Sequence, residues 1–126
     1  MEDPQNETLF LKRTQVKVSW PNGETQQFPL DKENTVIGRE GTCDILVPED
    51  FSSISRRHAE IRRSGSEYEL VDLASVNGVL LNGEPVNQHV LSDGDEIEIG
   101  LADMGQLVKI TFLKGNEGIF HLSSSA

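Results

Sequence analysis

Apolar residues in this chain recur with period two over short runs, and turn formers cut those runs about every six to twelve residues. Such a rhythm suits extended strands with one buried face, and each run ends too soon for a helix to bury an apolar stripe. Val16, Val18 and Trp20 alternate with Lys17 and Ser19, and Pro21-Asn22-Gly23 then turns the chain towards a second run from Gln26 to Leu30. Further strands are expected from Thr35 to Gly38, Asp44 to Val47, His58 to Arg62, Tyr68 to Leu73, Val79 to Leu81, Glu96 to Ile99 and Leu107 to Leu113. Ser64-Gly65-Ser66, Asn77-Gly78, Asn82-Gly83 and Asp93-Gly94 separate them. So many short strands cannot share one sheet with a single buried face. The pattern therefore predicts an all-β fold, a two-sheet antiparallel β-sandwich with its loops gathered at the ends.

A chain of 126 residues accommodates one such core. The expected division is a domain over 15–114, an N-terminal tail or first strand over 1–14, and a C-terminal tail or linker start over 115–126. Met1 to Thr8 is polar and acidic, and the other end finishes in Ser123-Ser124-Ser125-Ala126. A tail of that kind suggests a module fused to further domains. Eleven Lys and Arg against 21 Asp and Glu leave a net charge of -10, which excludes a general nucleic-acid surface or an anionic membrane as partner. Any anion must be recognised locally. The single cysteine, Cys43, forms no internal disulfide and is expected as a small buried hydrophobe before a strand. The acidic N-terminus is not a secretory leader, and no apolar run reaches the roughly 20 residues that span a bilayer. These features predict a cytoplasmic, intracellular protein.

One segment runs against the overall acidity. From Ser55 to Arg63 the chain carries Arg56, Arg57, Arg62 and Arg63 against Glu60 alone. Arg62 and Arg63 adjoin on an expected strand, point to opposite faces and read as a solvated strand. Arg39 and Ser55 are different, because a core does not account for an arginine and a serine at strand ends. Three loops, around Gly38-Arg39, Ser52 to His58 and Ser75 to Asn77, offer polar groups that a sandwich would bring together. Ser55, His58 and Asp72 contain the atom types of a hydrolytic triad, yet no Gly-x-Ser-x-Gly elbow is present and nothing marks an oxyanion hole, so an enzyme is not expected. His58, His89, His121 and Cys43 lack any recurrent ligand spacing, so neither a metal nor another cofactor is expected. Trp20 and Phe112 read as core residues.

The ordered series Ile37-Gly38-Arg39, Cys43-Asp44-Ile45, Ser55-Arg56-Arg57-His58-Ala59, Asp72-Leu73-Ala74-Ser75-Val76-Asn77-Gly78 and Asn82-Gly83 resembles the pattern of the forkhead-associated (FHA) family. The resemblance runs from about Thr35 to Ile99 and takes in the late turn Leu91-Ser92-Asp93-Gly94-Asp95. It implies a phosphothreonine-dependent protein-protein interaction module, with ligand-binding loops at one end, that docks threonine-phosphorylated partners in kinase signalling. It also implies roles position by position. Arg39 and Ser55 would contact the phosphate, which carries about -1.5 to -2 charges and three acceptor oxygens suited to an arginine fork and a hydroxyl. Arg56 would support phosphate or peptide, and Asn77 would hold the peptide backbone. Gly38 and Gly78 would allow tight backbone paths, while His58 would tie one loop to another.

Two positions depart from that pattern. Val76 stands where the family often has Ser or Thr and is expected to offer only its backbone; a lost hydrogen bond to a charged group costs roughly 1.5 to 3 kcal/mol. Val79 replaces a frequent Thr and is expected to need only a packing adjustment. A pocket for the threonine methyl would favour phosphothreonine over phosphoserine. The alternative, supported by Val76, is a phosphate-independent interaction or oligomerisation sandwich. A variant of the first reading has phosphorylated Thr8 as an internal ligand.

Overall fold

A computed structural model describes residues 12–116 of the chain. Thr8 and His121 lie outside the described residues. Two sheets pack face to face, and each strand is short. The elements in chain order are β1 (Gln15–Ser19), β2 (Thr25–Pro29), β3 (Asn34–Gly38), β4 (Ile45–Leu46), β5 (Ala59–Ser64), β6 (Glu67–Asp72), β7 (Leu80–Leu81), β8 (Glu84–Pro85), β9 (Gln88–Val90), β10 (Glu96–Ile99) and β11 (Val108–Leu113). A single 3-10 turn, Ala102–Met104, precedes β11. One sheet runs β2-β1-β11-β10-β7-β8 and the other β4-β3-β5-β6-β9.

Alternation decides which face is buried. Val16 and Val18 of β1 lie opposite Phe112 and Ile110 of β11, and Ile97 and Ile99 of β10 extend the same apolar layer. Ile37, Ile61 and Leu70 form the facing layer from β3, β5 and β6. The Tyr68 ring, from β6, meets Phe112 at 5.5 Å between centroids in a tilted arrangement, so an aromatic pair bridges the two sheets. Each fully buried large side chain of this layer contributes about 1.5 to 3 kcal/mol relative to exposure. Phe112 is fully enclosed, whereas Trp20 packs only partly against the core edge.

Most of the expected strands form, with differences that have physical causes. β3 and β4 pair in parallel, because the chain crosses over between them instead of reversing in a hairpin. Asp44 holds that crossover: its Oδ2 accepts the Val36 N–H at 2.9 Å and its other oxygen pairs with Lys32. Burial opposes the charge on Asp44, but Lys32 and the Val36 N–H outweigh it and hold the carboxyl below its ordinary range. β8 and β9 have no counterpart among the expected strands. Their residues are exposed, so they carry no apolar alternation to read. Cys43 is buried, as expected, with its thiol pushed up by burial and its Sγ 3.3 Å from the Arg56 carbonyl. Val79 is buried in the core, in keeping with a packing role.

Candidate functional site

β3 ends on Gly38 because nothing larger fits. A Cβ there would lie 2.2 Å from the Arg56 carbonyl oxygen, so the backbone of the 47–58 loop rests directly on this glycine. The close approach continues as main-chain hydrogen bonds. His58 N–H donates to Ile37 O at 2.8 Å, Arg39 N–H to Ser55 O at 3.3 Å and Glu40 N–H to Arg56 O at 2.9 Å. Arg39 and Ser55 are thereby brought side by side from sequence positions in different loops.

The Arg39 side chain is fixed by carbonyls. Its Nε donates to Ile54 O at 2.5 Å and its Nη1 to Glu49 O at 3.2 Å. These bonds leave Nη2 and one further N–H of the guanidinium for another acceptor. Arg39 forms no ion pair among the described residues, so its charge is oriented but uncompensated. Ser55 is held as firmly. Its Oγ accepts the Val76 N–H at 3.0 Å, which fills one lone pair and leaves the hydroxyl proton free to point elsewhere.

His58 joins the second loop to the third. The ring is fully buried, its Nδ1 accepts the Ser55 N–H at 2.9 Å, and its Nε2 lies 2.8 Å from Gly78 O. Only the neutral Nε2–H tautomer satisfies both neighbours. Burial lowers the imidazole below its ordinary value near 6.5, against the opposing pull of the Gly78 carbonyl and Asp72. With both nitrogens engaged by main chain, none is left for the Ser55 hydroxyl. The triad geometry is therefore not formed.

The 73–79 loop is shaped by its own side chains. Asp72 Oδ1 accepts the Ser75 N–H at 2.9 Å, and Ser75 Oγ accepts the Gly78 N–H at 3.0 Å. Ala74 sits in the left-handed region at φ 56° and Gly78 at φ 83°. Val76 at the tip is 86% exposed, and its backbone N–H is spent on Ser55. Asn77 Nδ2 donates to Ser53 O at 2.8 Å, leaving Oδ1 and one N–H unassigned. Arg39, Ser55, Val76 and Asn77 thus share one rim with Gly38, His58 and Gly78 beneath them. Arg56 flanks the rim, 3.9 Å from Glu40, which also lies 3.7 Å from Arg57. Arg62 pairs with Glu60 at 3.2 Å and Arg63 stacks over Tyr68 at 5.7 Å, so neither joins the rim.

Two supporting residues escaped sequence reasoning. Ser53 is buried, its N–H donating to Gln106 Oε1 at 2.8 Å and its Oγ accepting the Leu101 N–H at 3.1 Å. Gln106 Nε2 also donates to Asp50 O at 3.2 Å, pinning the 100–107 loop beneath the 47–58 loop. Partners separated by about half the chain leave no local signal.

A two-sheet sandwich that gathers three cross-tied loops at one end defines a recognition module of the loop-end kind. The chain belongs to the forkhead-associated family: the FHA domain model matches residues 35–100, over half of it. It is 45% identical over 97 residues to the oxoglutarate dehydrogenase inhibitor of Corynebacterium jeikeium, covering 77% of this chain and 61% of that protein. It is 44% identical over 97 residues to the glycogen accumulation regulator GarA of Mycobacterium tuberculosis, covering 77% and 54% respectively. The chain thus spans only part of the length of these relatives. A solved structure from a structural and functional analysis of phosphothreonine-dependent FHA domain interactions superposes with a TM-score of 0.63 at 32% identity. That match covers 78% of this chain and 96% of the other.

Proposed function

We propose that this chain is a phosphothreonine-dependent interaction module that docks threonine-phosphorylated partner proteins through the rim of Arg39, Ser55, Arg56, Val76 and Asn77. The observation that carries the proposal is the Arg39 guanidinium, fixed by two main-chain carbonyls and without a carboxylate partner among the described residues. In a chain of net charge -10, an oriented cation of that kind is a local site for an anion. Arg39 supplies the fork to the phosphate, and Ser55 adds its hydroxyl proton, which the bond from the Val76 N–H leaves available. Arg56 lends charge from the flank. Asn77 presents Oδ1 to the peptide backbone, and the exposed Val76 side chain gives the threonine methyl an apolar neighbour.

Gly38, His58 and Gly78 hold these groups in place, within a unit that we take as residues 15–114. The similar solved structure comes from a study of phosphothreonine-dependent FHA domain interactions, and the relatives carry the names of an inhibitor and a regulator. Both support docking rather than catalysis; we take the setting as intracellular, with a threonine kinase supplying the mark.

A second reading, phosphate-independent docking through the same end, rests on Val76, whose exposed side chain replaces a hydroxyl by an apolar contact. Calorimetric titration with a degenerate phosphothreonine library, its unphosphorylated twin and an Arg39→Ala control separates the two. Binding is expected only to the phosphorylated library, and Arg39→Ala should weaken it at least about tenfold, since a hydrogen bond to a charged group is worth roughly 1.5 to 3 kcal/mol. Equal binding of both libraries, unchanged by Arg39→Ala, would install the second reading.

A further inference from the structure

Arg39 and Asn77 are held by one stretch of chain. Residues 48–54 belong to no strand, yet their carbonyls bind both side chains: Glu49 O and Ile54 O accept from the Arg39 guanidinium, and Ser53 O accepts from Asn77 Nδ2 at 2.8 Å. In a sheet, the neighbouring strand fixes where a carbonyl points; an irregular segment has to be held by other means. The two ends of this one are fastened to the end of β3 and to Arg39. Val47 N–H donates to Gly38 O at 2.9 Å, and Arg39 N–H to Ser55 O at 3.3 Å. Between those points the chain bends on itself, with Phe51 N–H donating to Pro48 O at 3.0 Å and Ile54 N–H to Phe51 O at 2.9 Å.

Such bonds shape the bend without fixing it against the rest of the molecule. Gln106 supplies that fixture. Its Oε1 accepts the Ser53 N–H at 2.8 Å and its Nε2 donates to Asp50 O at 3.2 Å, so one amide spans the segment. Each attachment lies one residue inside a carbonyl that holds Arg39: Asp50 follows Glu49, and Ser53 precedes Ile54. Ser53 also carries the carbonyl that Asn77 binds. A planar amide has both a donor and an acceptor, so it ties an N–H and a C=O at once, as a neighbouring strand would.

Gln106 is itself held. Its N–H donates to Leu101 O at 3.0 Å, and its carbonyl rests on Gly100, where a Cβ would approach to 2.2 Å. Leu101 N–H adds a bond to Ser53 Oγ at 3.1 Å. These residues connect β10 to β11 in the six-stranded sheet, whereas 48–54 follows β4 of the five-stranded sheet. The amide therefore fastens the segment to the opposite sheet.

We infer that Gln106 is a positioning residue for phosphothreonine capture: its amide sets where residues 48–54 place the carbonyls that aim Arg39 at the phosphate and Asn77 at the peptide backbone. The inference rests on the phosphothreonine reading of the rim and adds to it a residue that acts only through those carbonyls.

Gln106→Met tests it, since it keeps the length of the side chain and removes both hydrogen bonds. Calorimetric titration of the full chain with a phosphothreonine peptide library, at a temperature where each variant is folded, should show affinity about tenfold weaker. That is the size expected when two rotamer-rich side chains must be ordered at the moment of binding. Gln106→Asn, whose shorter stem draws the amide back from Asp50 and Ser53, should show the same loss without an apolar group at the site. NMR spectra of the unbound proteins add a readout that a merely structural role would not move. The Arg39 Nε–H and Asn77 Nδ2 signals should be distinct in the unaltered chain and collapse towards averaged positions in both variants. Gly65→Ala, a destabilising change in the β5–β6 turn, should leave affinity and signals alone. Unchanged affinity in the Gln106 variants, with binding still lost in Arg39→Ala, would overturn the role of Gln106 and leave the rim reading standing. So would weaker affinity with both signals unmoved, or an equal loss in Gly65→Ala. Failure of the unaltered chain to bind any phosphopeptide would overturn the rim reading and the inference with it.

Discussion

The two ends of the sandwich are built by different physics. At the end away from the rim, short connections follow local turn chemistry. Gly65-Ser66 joins β5 to β6 with a positive φ only at its first residue, as a type II′ turn requires, and Asn82-Gly83 joins β7 to β8 with positive φ at both, as type I′ requires. At the rim end the 47–58, 73–79 and 100–107 loops are longer, and beyond their internal bonds they are tied to one another: His58 to Gly78, Asn77 to Ser53, Ser53 to Gln106. Local turns can fail singly. A cross-tied end fails together, and the proposed binding rim with it.

The largest break in that comparison is expected from His58→Leu. It leaves the Ser55 N–H and the Gly78 carbonyl without their partner in a buried setting, at about 1 to 3 kcal/mol for each orphaned group. Chemical denaturation should show the lost stability, and phosphopeptide titration should show lost affinity at temperatures where the variant remains folded. Gly38→Ala comes next, with about 1 to 3 kcal/mol of overpacking as the new methyl displaces the Arg56 carbonyl. Its affinity should fall too, because Arg39 and Ser55 are aligned by the same contact.

Acid should loosen the rim end more gently. With the folded imidazole lowered below about 6.5, the unfolded chain takes up a proton that the folded chain refuses. Stability is therefore undiminished by His58 above about pH 6.5, declines as pH falls below it, and has lost the whole contribution once pH passes the folded value. Denaturation midpoints followed from pH 7 downward should show this slope, and the slope should vanish in His58→Leu. The smallest effect belongs to the other end. Gly65→Ala, at φ 63° with open space around it, should cost only about 1 to 2 kcal/mol, the left-handed penalty, and leave phosphopeptide affinity unchanged. A loss of affinity there would blur the contrast between the ends.

The same division explains what could be read in advance. The sandwich, most strands and the tight turns follow from alternation and from Asn-Gly or Ser-Gly pairs, because both are written in neighbouring residues. Arg39, Ser55 and Asn77 were legible through spacing that resembles the FHA pattern, and the fold brings them together. The carbonyls of Ile54 and Glu49 that orient Arg39 were not, since any residue supplies a carbonyl and only the path of the loop aims it. Ser53 and Gln106 were missed for the same reason, and β8 and β9 because exposed strands held by backbone pairing need no apolar code. The parallel β3–β4 pair was hidden as well, because alternation does not distinguish the direction of a partner strand.

The carbonyl-braced guanidinium also bears on kinetics. A cradle assembled before its ligand arrives requires no loop closure, so the barrier to encounter lies outside the site. There a phosphorylated partner whose net charge is negative is repelled at long range by a protein of net charge -10. Dissolved salt screens that repulsion beyond about 8 to 10 Å but acts less on the short contacts inside. Ionic strength therefore speeds arrival while barely hastening departure, the reverse of a reader that draws its target in by opposite charge.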